Sequence, residues 1–483
     1  MSSLTLPQLF VYPLTGSQVV PVKKNSSIPY IPPEIIRIIL DLLRDDKKTL
    51  AACALVNHTF NLYATPILYH TVAFTFPHTF TLFVNATNDI KKRCSQMIRH
   101  LDLSSFSTCG LQKSSFETQN IVTPELLIHI LRSFPELKTF SVSESLESAI
   151  TFDVLKVLFL ECKNIKTIDF CGCASKKFSN ALDEFSGLIG HVKIESHCND
   201  NDETTISFRM SSQPLLSHLQ RLSFHECPVI SEYSTIIPIL AHAPNLTHLD
   251  LGSCSISDLT LNFLAETNIP TKLSHLSLAK CKNLSSEVIS SLVSKCSQLE
   301  TLNFYGDRDI TTSIKEYDLI TLLRSPNAKN FRTLDIGSSQ ITPLILTTIK
   351  DNCSSLQNLG ISKAQITNLD FIKDLLKALP NLQYIDLTSI PCFNLLNTNN
   401  LLAEIKKSNH SIHTIEMSES LLKKLYAIDG WNIDVNYGRR WYYSRKIQRC
   451  TIRPDRVHGR KLDITECGSE FMSKIFQYYS FDA

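Results

Sequence analysis

The amino-acid sequence predicts an α/β solenoid, a horseshoe with parallel strands on its concave face and helices on its convex face, preceded by a small all-α unit. One phrase (apolar, two variable, apolar, one variable, apolar) recurs along the chain. Its twelve copies begin at residues 98, 137, 165, 189, 219, 246, 273, 299, 331, 356, 382 and 412. The resulting period of about 27 residues fits one strand plus one helix per unit. A single unit cannot bury its apolar face alone, so the units must stack.

The N-terminal part predicts a loose arm over residues 1–27 and a three-helix unit over 28–72. Pro32-Pro33-Glu34 suits a first helical turn, because that position needs no N–H donor and favours an acid. Two further helical runs follow, the last over about residues 58–64, before Pro66. Three short helices cannot cover all of their apolar surface, so we expect a partner to cover it. The side chains concerned are Pro32, Pro33, Ile35, Ile39, Leu43, Leu50, Val56 and Phe60.

The repeats predict one solenoid of about twelve units over residues 95–425. Thr123-Pro124 and Thr342-Pro343 place a capping residue before a proline, which indicates a helix start between two phrases. Several cysteines, among them Cys227, Cys254 and Cys281, lie three residues after the last apolar residue of their phrase. Cysteines at one repeat position are small buried side chains, so we predict reduced thiols rather than a disulfide framework.

Composition narrows the function classes. The chain has 483 residues, 43% of them apolar, and a net charge of +2, which gives no global attraction to nucleic acid or to anionic membranes. No apolar run approaches the ~18 residues that a membrane span needs, and residues 1–20 lack the basic start and the uninterrupted apolar stretch of a secretory signal. We therefore expect a protein of the cytoplasm and/or the nucleus, without a membrane or nucleic-acid partner.

Nothing in the sequence favours an enzyme. The chain has 13 glycines and no phosphate-cradling glycine loop, so no cofactor is predicted. The densest Cys/His cluster includes Cys162, Cys173 and His191, but the two cysteines already have positions in the repeat, so no metal is predicted. His225-Glu226-Cys227 lies at the edge of a repeat and has no partner that the sequence can name.

Strand positions that alternate with buried residues predict a binding groove on the concave face. One of these columns is rich in acids and the column before it in histidines. The pattern favours a groove that attracts a basic segment of a protein substrate. The alternative is that these acids are ordinary solvated strand residues. The expected contacts are Asp169, His248, Asp250, His275, Asn303, Tyr305, Asp335, Tyr384 and Asp386.

Residues 426–483 leave the repeat pattern. Trp431, Trp441 and Tyr442 stand among many arginines and lysines. Such a segment covers the last apolar face of a solenoid, because the end of a stack needs an atypical unit. The alternative is a site for a phosphorylated or nucleic-acid partner, or a nuclear address.

The repeat phrase resembles the leucine-rich repeat in its cysteine-containing form, most clearly at Leu246, Leu249, Leu251 and Cys254. The three-helix unit, from Ile31-Pro32-Pro33-Glu34 to Pro66-Ile67-Leu68-Tyr69, resembles an F-box. This resemblance implies a substrate receptor of an SCF-type ubiquitin ligase. In that family the F-box docks on the Skp adaptor, which joins a cullin, and the repeats hold the protein to be ubiquitinated. The eight apolar residues named above would then contact the adaptor.

A second hypothesis stays open. The chain would be a non-catalytic leucine-rich-repeat scaffold or regulator without a link to ubiquitination, and its N-terminal helices would only cap the solenoid.

Overall fold

The computed structural model describes residues 31–44, 46–74, 77–89, 94–104, 121–190, 192–198, 204–210, 213–306, 314–408, 411–412, 414–418, 421, 431–434 and 441–445. The predicted arm, 1–27, lies outside these residues, as does most of 426–483.

A single sheet of fourteen strands runs through the molecule. Twelve of its strands are parallel and neighbour one another in chain order, and a final antiparallel pair follows them. The parallel strands are β1 (Thr71–Ala73), β2 (His100–Leu103), β3 (Thr139–Val142), β4 (Thr167–Asp169), β7 (Arg221–Ser223), β8 (His248–Asp250), β9 (His275–Ser277), β10 (Thr301–Asn303), β11 (Thr333–Asp335), β12 (Asn358–Gly360), β13 (Tyr384–Asp386) and β14 (Thr414–Met417). The final pair is β15 (Trp431–Asp434) and β16 (Trp441–Arg445).

Helices connect the strands and form the second layer. They are α1 (Pro33–Leu42), α2 (Lys47–Ala54), α3 (His58–His70), α4 (Pro77–Asp89), α5 (Pro124–Ser133), α6 (Phe152–Lys156), α7 (Lys176–Ile189), α8 (Ile237–His242), α9 (Asp258–Glu266), α10 (Ser286–Lys295), α11 (Glu316–Leu323), α12 (Pro343–Asn352), α13 (Leu369–Ala378) and α14 (Leu395–Ser408). Wider π-type turns follow α6 (Val157–Glu161) and precede α8 (Glu232–Ile236). Short 3-10 helices are Ser95–Met97, Glu144–Ala149 and Pro326–Asn330.

The two layers explain the curvature. Neighbouring strands lie about 4.8 Å apart, whereas packed helices need about 8–10 Å. The helices therefore occupy the longer, convex side and the strands the concave side. The predicted fold class, a leucine-rich-repeat solenoid behind a small helical unit, is confirmed.

The apolar phrase forms a continuous core because the strands pair in register. Leu249, Leu276 and Leu302 stand opposite one another on three adjacent strands, and all are buried. The predicted helix starts are also confirmed: Thr123 accepts a hydrogen bond from the backbone N–H of Leu126 (3.3 Å), and Thr342 is the N-cap of α12.

The periodic cysteines Cys227, Cys254 and Cys281 are buried, as predicted. The thiol of Cys254 donates to the carbonyl of Phe224 in the preceding repeat (3.0 Å), and that of Cys281 donates to Leu251 (3.2 Å). Each thiol thus satisfies a carbonyl where one repeat meets the next.

One copy of the phrase is not a solenoid strand. The copy at 189 begins with Ile189, the last residue of α7, and continues into β5 (Val192–Cys198). Strand β5 pairs antiparallel with β6 (Thr204–Met210) in a separate two-stranded sheet. The hairpin packs on the convex layer, where the ring of Phe208 meets that of Phe263 with 5.1 Å between centroids. The other eleven copies each provide one strand of the large sheet, and β1 is the twelfth.

The three-helix unit continues directly into the sheet. Helix α3 runs through Pro66 to His70 instead of ending before that proline, and β1 begins at the next residue. Thr71 of β1 pairs with His100 of β2, and the ammonium of Lys47 donates to the carbonyl of Thr71 (2.7 Å). The helical unit is therefore fixed to the first turn of the solenoid.

At the other end, β16 pairs antiparallel with β14 and with β15. This hairpin covers the open edge of the last parallel strand. In the ranges given above, no helix combines the length and apolarity that a bilayer crossing requires.

Candidate functional site

The first candidate site is an exposed apolar face on the three-helix unit. Helix α1 directs Ile36 and Leu40 inward, four residues apart, onto Leu50 and Ala64. This leaves the opposite side of the helix apolar as well. Ile35, Ile38, Ile39 and Leu42 are 46%, 56%, 42% and 82% exposed. A helix of a folded protein normally presents polar residues there, so this side indicates a protein contact.

Two further apolar side chains stand out at the turn after α2. Leu55 is 73% exposed and Val56 is 63% exposed. The turn is held from both sides: Asn57 caps α3 by accepting from the N–H of Phe60 (2.9 Å), and the amide of Asn61 donates to the carbonyl of Ala54 (2.9 Å). The exposed pair therefore has a fixed position. We call α1 and this turn, with Ile35, Ile38, Ile39, Leu42, Leu55 and Val56, the apolar face.

The predicted adaptor-contact residues differ in how far their side chains are exposed. Pro32, Ile35, Ile39 and Val56 are exposed, while Pro33, Leu43 and Phe60 are half-buried. Leu50 is only 1% exposed and belongs to the interior of the three-helix unit, so its assignment as a contact residue is corrected. Helical spacing showed that α2 is apolar, but it did not show which side faces inward. Ile38, Leu42 and Leu55 were missed, although α1 is apolar nearly all round in the sequence.

The second candidate site is the concave face, where the predicted acidic groove requires a correction. The carboxylates of Asp169, Asp250, Asp335 and Asp386 are at most 1% exposed. Each accepts a hydrogen bond from the backbone N–H two residues further on, at 3.0, 2.8, 3.1 and 2.9 Å. These aspartates stabilise the turn that ends each strand, as Asp side chains do in Asx turns. They do not form a solvent-facing acidic surface.

Asn303 repeats this arrangement in β10. Its side-chain oxygen accepts from the N–H of Tyr305 at 2.9 Å, and Asn303 is 1% exposed. Tyr384 is equally buried, and its hydroxyl donates to the carboxylate of Glu416. Of the nine predicted substrate contacts, only His248, His275 and Tyr305 are half-buried rather than buried.

His248 and His275 stack on adjacent strands. Their ring centroids are 3.9 Å apart and the planes differ by 11°. Each Nδ1 lies 2.9 Å from a hydroxyl, that of Thr247 or that of Ser274. Burial, followed by the charges of His275 and Arg221, lowers the pKa of His248 to about 2. His248 is therefore a neutral ring of the concave face at physiological pH.

A buried His–Asp contact was not visible in the sequence. Nδ1 of His225 lies 3.3 Å from Oδ1 of Asp250, and both side chains are at most 2% exposed. The register of the repeats could have predicted this contact, because His225 follows β7 and Asp250 ends the neighbouring strand β8. Within the described ranges, no group of three or more His, Cys, Asp or Glu side chains is gathered for a metal.

Comparisons with known proteins bear on the helical unit. Residues 28–109 match the family described as COS11 F-box domain. This match extends past the predicted boundary at 72, through α4 and β2. The F-box protein YLR352W of Saccharomyces cerevisiae is 25% identical over 279 residues, which cover 52% of this chain and 32% of that protein. The chain thus spans about a third of the length of this relative.

Solved structures with a distant likeness include the Rad7–Elc1 complex of yeast and the repeat protein LegL7 of Legionella pneumophila. The first is 12% identical, covers 75% of this chain and 89% of its own, and has a TM-score of 0.38. The second is 15% identical, covers 72% and 90%, and has a TM-score of 0.34.

The fold and the family match together define the class of this chain. It carries an F-box domain joined without a linker to a leucine-rich-repeat solenoid.

Proposed function

We propose that this chain is the substrate-recognition subunit of an SCF-type ubiquitin ligase. Its F-box domain docks on a Skp1-type adaptor, which joins a cullin, and its solenoid holds the protein to be ubiquitinated. The chain itself is not an enzyme in this proposal, and it works in the cytoplasm and/or the nucleus.

The observation that carries the proposal is the apolar face. F-box domains generally bind Skp1-type adaptors, and the family match covers the helices that form this face. Removing apolar surface from water contributes roughly 25 cal/mol per Å², so exposed isoleucine and leucine side chains supply a substantial driving force for a partner. Part of this driving force offsets the entropy lost on association.

The geometry favours one docking element. Ile35, Ile38, Ile39 and Leu42 follow one another on a single rigid helix, and Val56 stands on a turn fixed by side-chain hydrogen bonds. A rigid apolar surface loses little conformational freedom on binding, which favours tight association.

The test is co-purification of the full chain with a Skp1-type adaptor, followed by calorimetry. We expect the Ile35→Asp/Ile39→Asp variant to lose at least about 100-fold in adaptor affinity, because charged groups would be desolvated at the contact. The matched control is Tyr317→Asp/Leu396→Asp, which changes two apolar residues that are 78% and 70% exposed on the solenoid.

Adaptor binding that is unaffected by the first variant, or absent from the wild-type chain, would reject the proposal. The chain would then be an interaction scaffold without a link to ubiquitination. A cullin that co-purifies only when the adaptor does would support the full assembly.

A further inference from the structure

The helices of the last four repeats carry a row of exposed apolar side chains. Each helix from α11 to α14 has one or two of them in its first turn, beside the ends of the strands. They are Tyr317, Leu344, Phe371, Leu395 and Leu396, which are 78%, 49%, 39%, 39% and 70% exposed. We call these five residues the apolar row.

The apolar row is confined to this end of the solenoid. The first turns of α9 and α10 present Asp258 and Glu287, and their apolar residues are buried or half-buried. Tyr233, which is exposed ahead of α8, is separated from the row by these two repeats. Helices α11 to α14 pack side by side, so the row is contiguous across them. Single apolar residues on a surface are ordinary, whereas a contiguous set indicates a contact.

Residues 446–483, which follow β16 and lie outside the described residues, contain a sequence that complements the apolar row. Between 470 and 481, apolar residues recur at i, i+1, i+4, i+5 and i+8, the spacing of one helix face. They are Phe471, Met472, Ile475, Phe476 and Tyr479, and Ser473, Lys474, Gln477 and Ser480 fall on the other side. Ser469 and Glu470 come just before them, a capping residue and an acid that suit a helix start.

We propose that residues 470–481 dock as an amphipathic helix on the apolar row of the same chain. A helix over 470–481 is about 18 Å long. Helices packed about 8–10 Å apart spread the first turns of α12, α13 and α14 over about 16–20 Å. The segment therefore matches Leu344, Phe371 and the two leucines of α14 in length. Docking removes the apolar face of the segment and that of the solenoid from water together.

The chain can reach this surface from the end of the sheet. Strand β16 runs antiparallel to β14 and places Ser444 opposite Thr414, at the rim where the helices end. Helix α13 has 10 residues, so the helix starts lie about 15 Å away across the convex layer. Residues 446–469 span up to about 80 Å when extended, which is ample for this path.

Other segments of the chain fit the apolar row less well. Residues 307–313, which come just before α11, contain one apolar residue, Ile310. Residues 1–30 are joined to the F-box domain at the opposite end of the solenoid. Residues 422–430 are tied at both ends, by the buried Leu421 and by β15, so their path is restricted to the end of the stack.

The test is photo-crosslinking in the full chain, with p-benzoylphenylalanine in place of Phe371. After irradiation and tryptic digestion, we expect this side chain to be joined to peptide 462–474 or 475–483 of the same chain. An equal mixture of unlabelled and isotope-labelled protein distinguishes this product from a crosslink between two copies, which joins peptides of unlike label. The same photoreactive residue in place of Leu82, which is 64% exposed on α4, should not crosslink to either peptide.

Charge substitutions in the segment identify the side that docks. We expect Phe471→Asp/Phe476→Asp to lower the crosslink yield from position 371 at least about tenfold, because two charges would be desolvated at the contact. The matched control is Ser473→Asp/Gln477→Asp, which adds the same charges to the polar side and should keep the wild-type yield. The Ile35→Asp/Ile39→Asp variant should also keep it, so failure of adaptor docking and failure of this contact are distinguishable.

Three outcomes would overturn the proposal. The first is a crosslink from position 371 to a second copy or to residues 422–430. The second is the absence of any crosslink within the purified chain. The third is an equal yield from the two pairs of aspartate substitutions.

Discussion

Glu232 of one repeat caps the helix of the next repeat through Thr260. The backbone N–H of Thr260 donates to Oε1 of Glu232 at 2.9 Å, and its hydroxyl donates at 2.6 Å. The N–H of Ser257 donates to the same carboxylate at 3.0 Å, and Glu232 is only 7% exposed. One buried carboxylate therefore satisfies the start of α9, where backbone N–H groups have no partner within the helix.

We expect Glu232→Ala to destabilise the solenoid by about 2–4 kcal/mol, because several buried donors lose their acceptor at once. Urea unfolding followed by circular dichroism measures this change. Glu266→Ala, at the exposed end of the same helix, is the control and should stay within about 0.5 kcal/mol of the wild type. Equal effects of the two substitutions would contradict the capping role.

Gly360 is required because an aspartate occupies the space beside it. A Cβ at Gly360 would lie 2.2 Å from Oδ1 of Asp335 and 2.4 Å from its Cγ. Asp335 is fully buried and bonded to the N–H of Gly337, so it cannot move away freely. We expect Gly360→Ala to cost about 1–3 kcal/mol through overpacking.

A double-mutant cycle isolates this clash. Asp335→Ser removes the carboxylate, so Gly360→Ala should cost clearly less in that background than in the wild type. Additive losses in urea unfolding would mean that the two residues are not in steric conflict.

The buried cysteines should resist alkylation in the native protein. Burial raises the pKa of Cys281 to about 12, and it raises that of Cys254 well above its usual range. Because the thiolate is the reactive form, iodoacetamide should modify these two at least about 100-fold more slowly than after unfolding. Peptide mass spectrometry measures this, with the half-buried Cys53 as internal reference. Native labelling of Cys254 at the rate of Cys53 would contradict its placement.

Acid should weaken the start of the solenoid through His100. Burial lowers its folded-state pKa from 6.5 to about 4, so below pH 6.5 the unfolded chain binds the proton more readily. The contribution of neutral His100 to the free energy of unfolding is complete above pH 6.5 and decreases as the pH falls from 6.5 towards 4. At pH 5 the free energy of unfolding is lower by roughly 2 kcal/mol than above pH 6.5.

The His100→Gln variant should show a shallower decrease in unfolding free energy between pH 7 and 5. Parallel pH profiles for variant and wild type would show that His100 does not titrate in this way. His58→Gln, at an exposed position of α3, is a suitable control.

Periodicity in the sequence was sufficient to predict the parallel sheet, and it failed where a second structure shares the same period. Ile189, Val192 and Ile194 have the apolar spacing of a repeat strand, yet β5 pairs with β6 in a hairpin. Alternating apolar residues suit either partner, so only the tertiary packing decides.

The prediction of a solvent-facing acidic groove on the concave face failed for a different reason. The alternation of side chains along β8 correctly placed Asp250 on the other side of the strand from Leu249 and Leu251. It carries no information on whether a short side chain folds back onto the backbone. A glycine two residues later, as in Asp250-Leu251-Gly252 and Asp335-Ile336-Gly337, was a usable sign of a turn bonded by the aspartate.

The contrast between Leu50 and Val56 separates folding from docking in the F-box domain. Leu50 is 1% exposed and packs in the three-helix interior, whereas Val56 is 63% exposed on the fixed turn. We expect Leu50→Ala to destabilise the domain by about 2–4 kcal/mol, because it leaves a cavity among Ile36, Leu40 and Ala64. Val56→Ala should change stability by less than about 0.5 kcal/mol and weaken adaptor binding instead. Hydrogen exchange of α1–α3 and adaptor calorimetry measure the two effects, and a Val56→Ala variant that unfolds the helices would place that residue in the core.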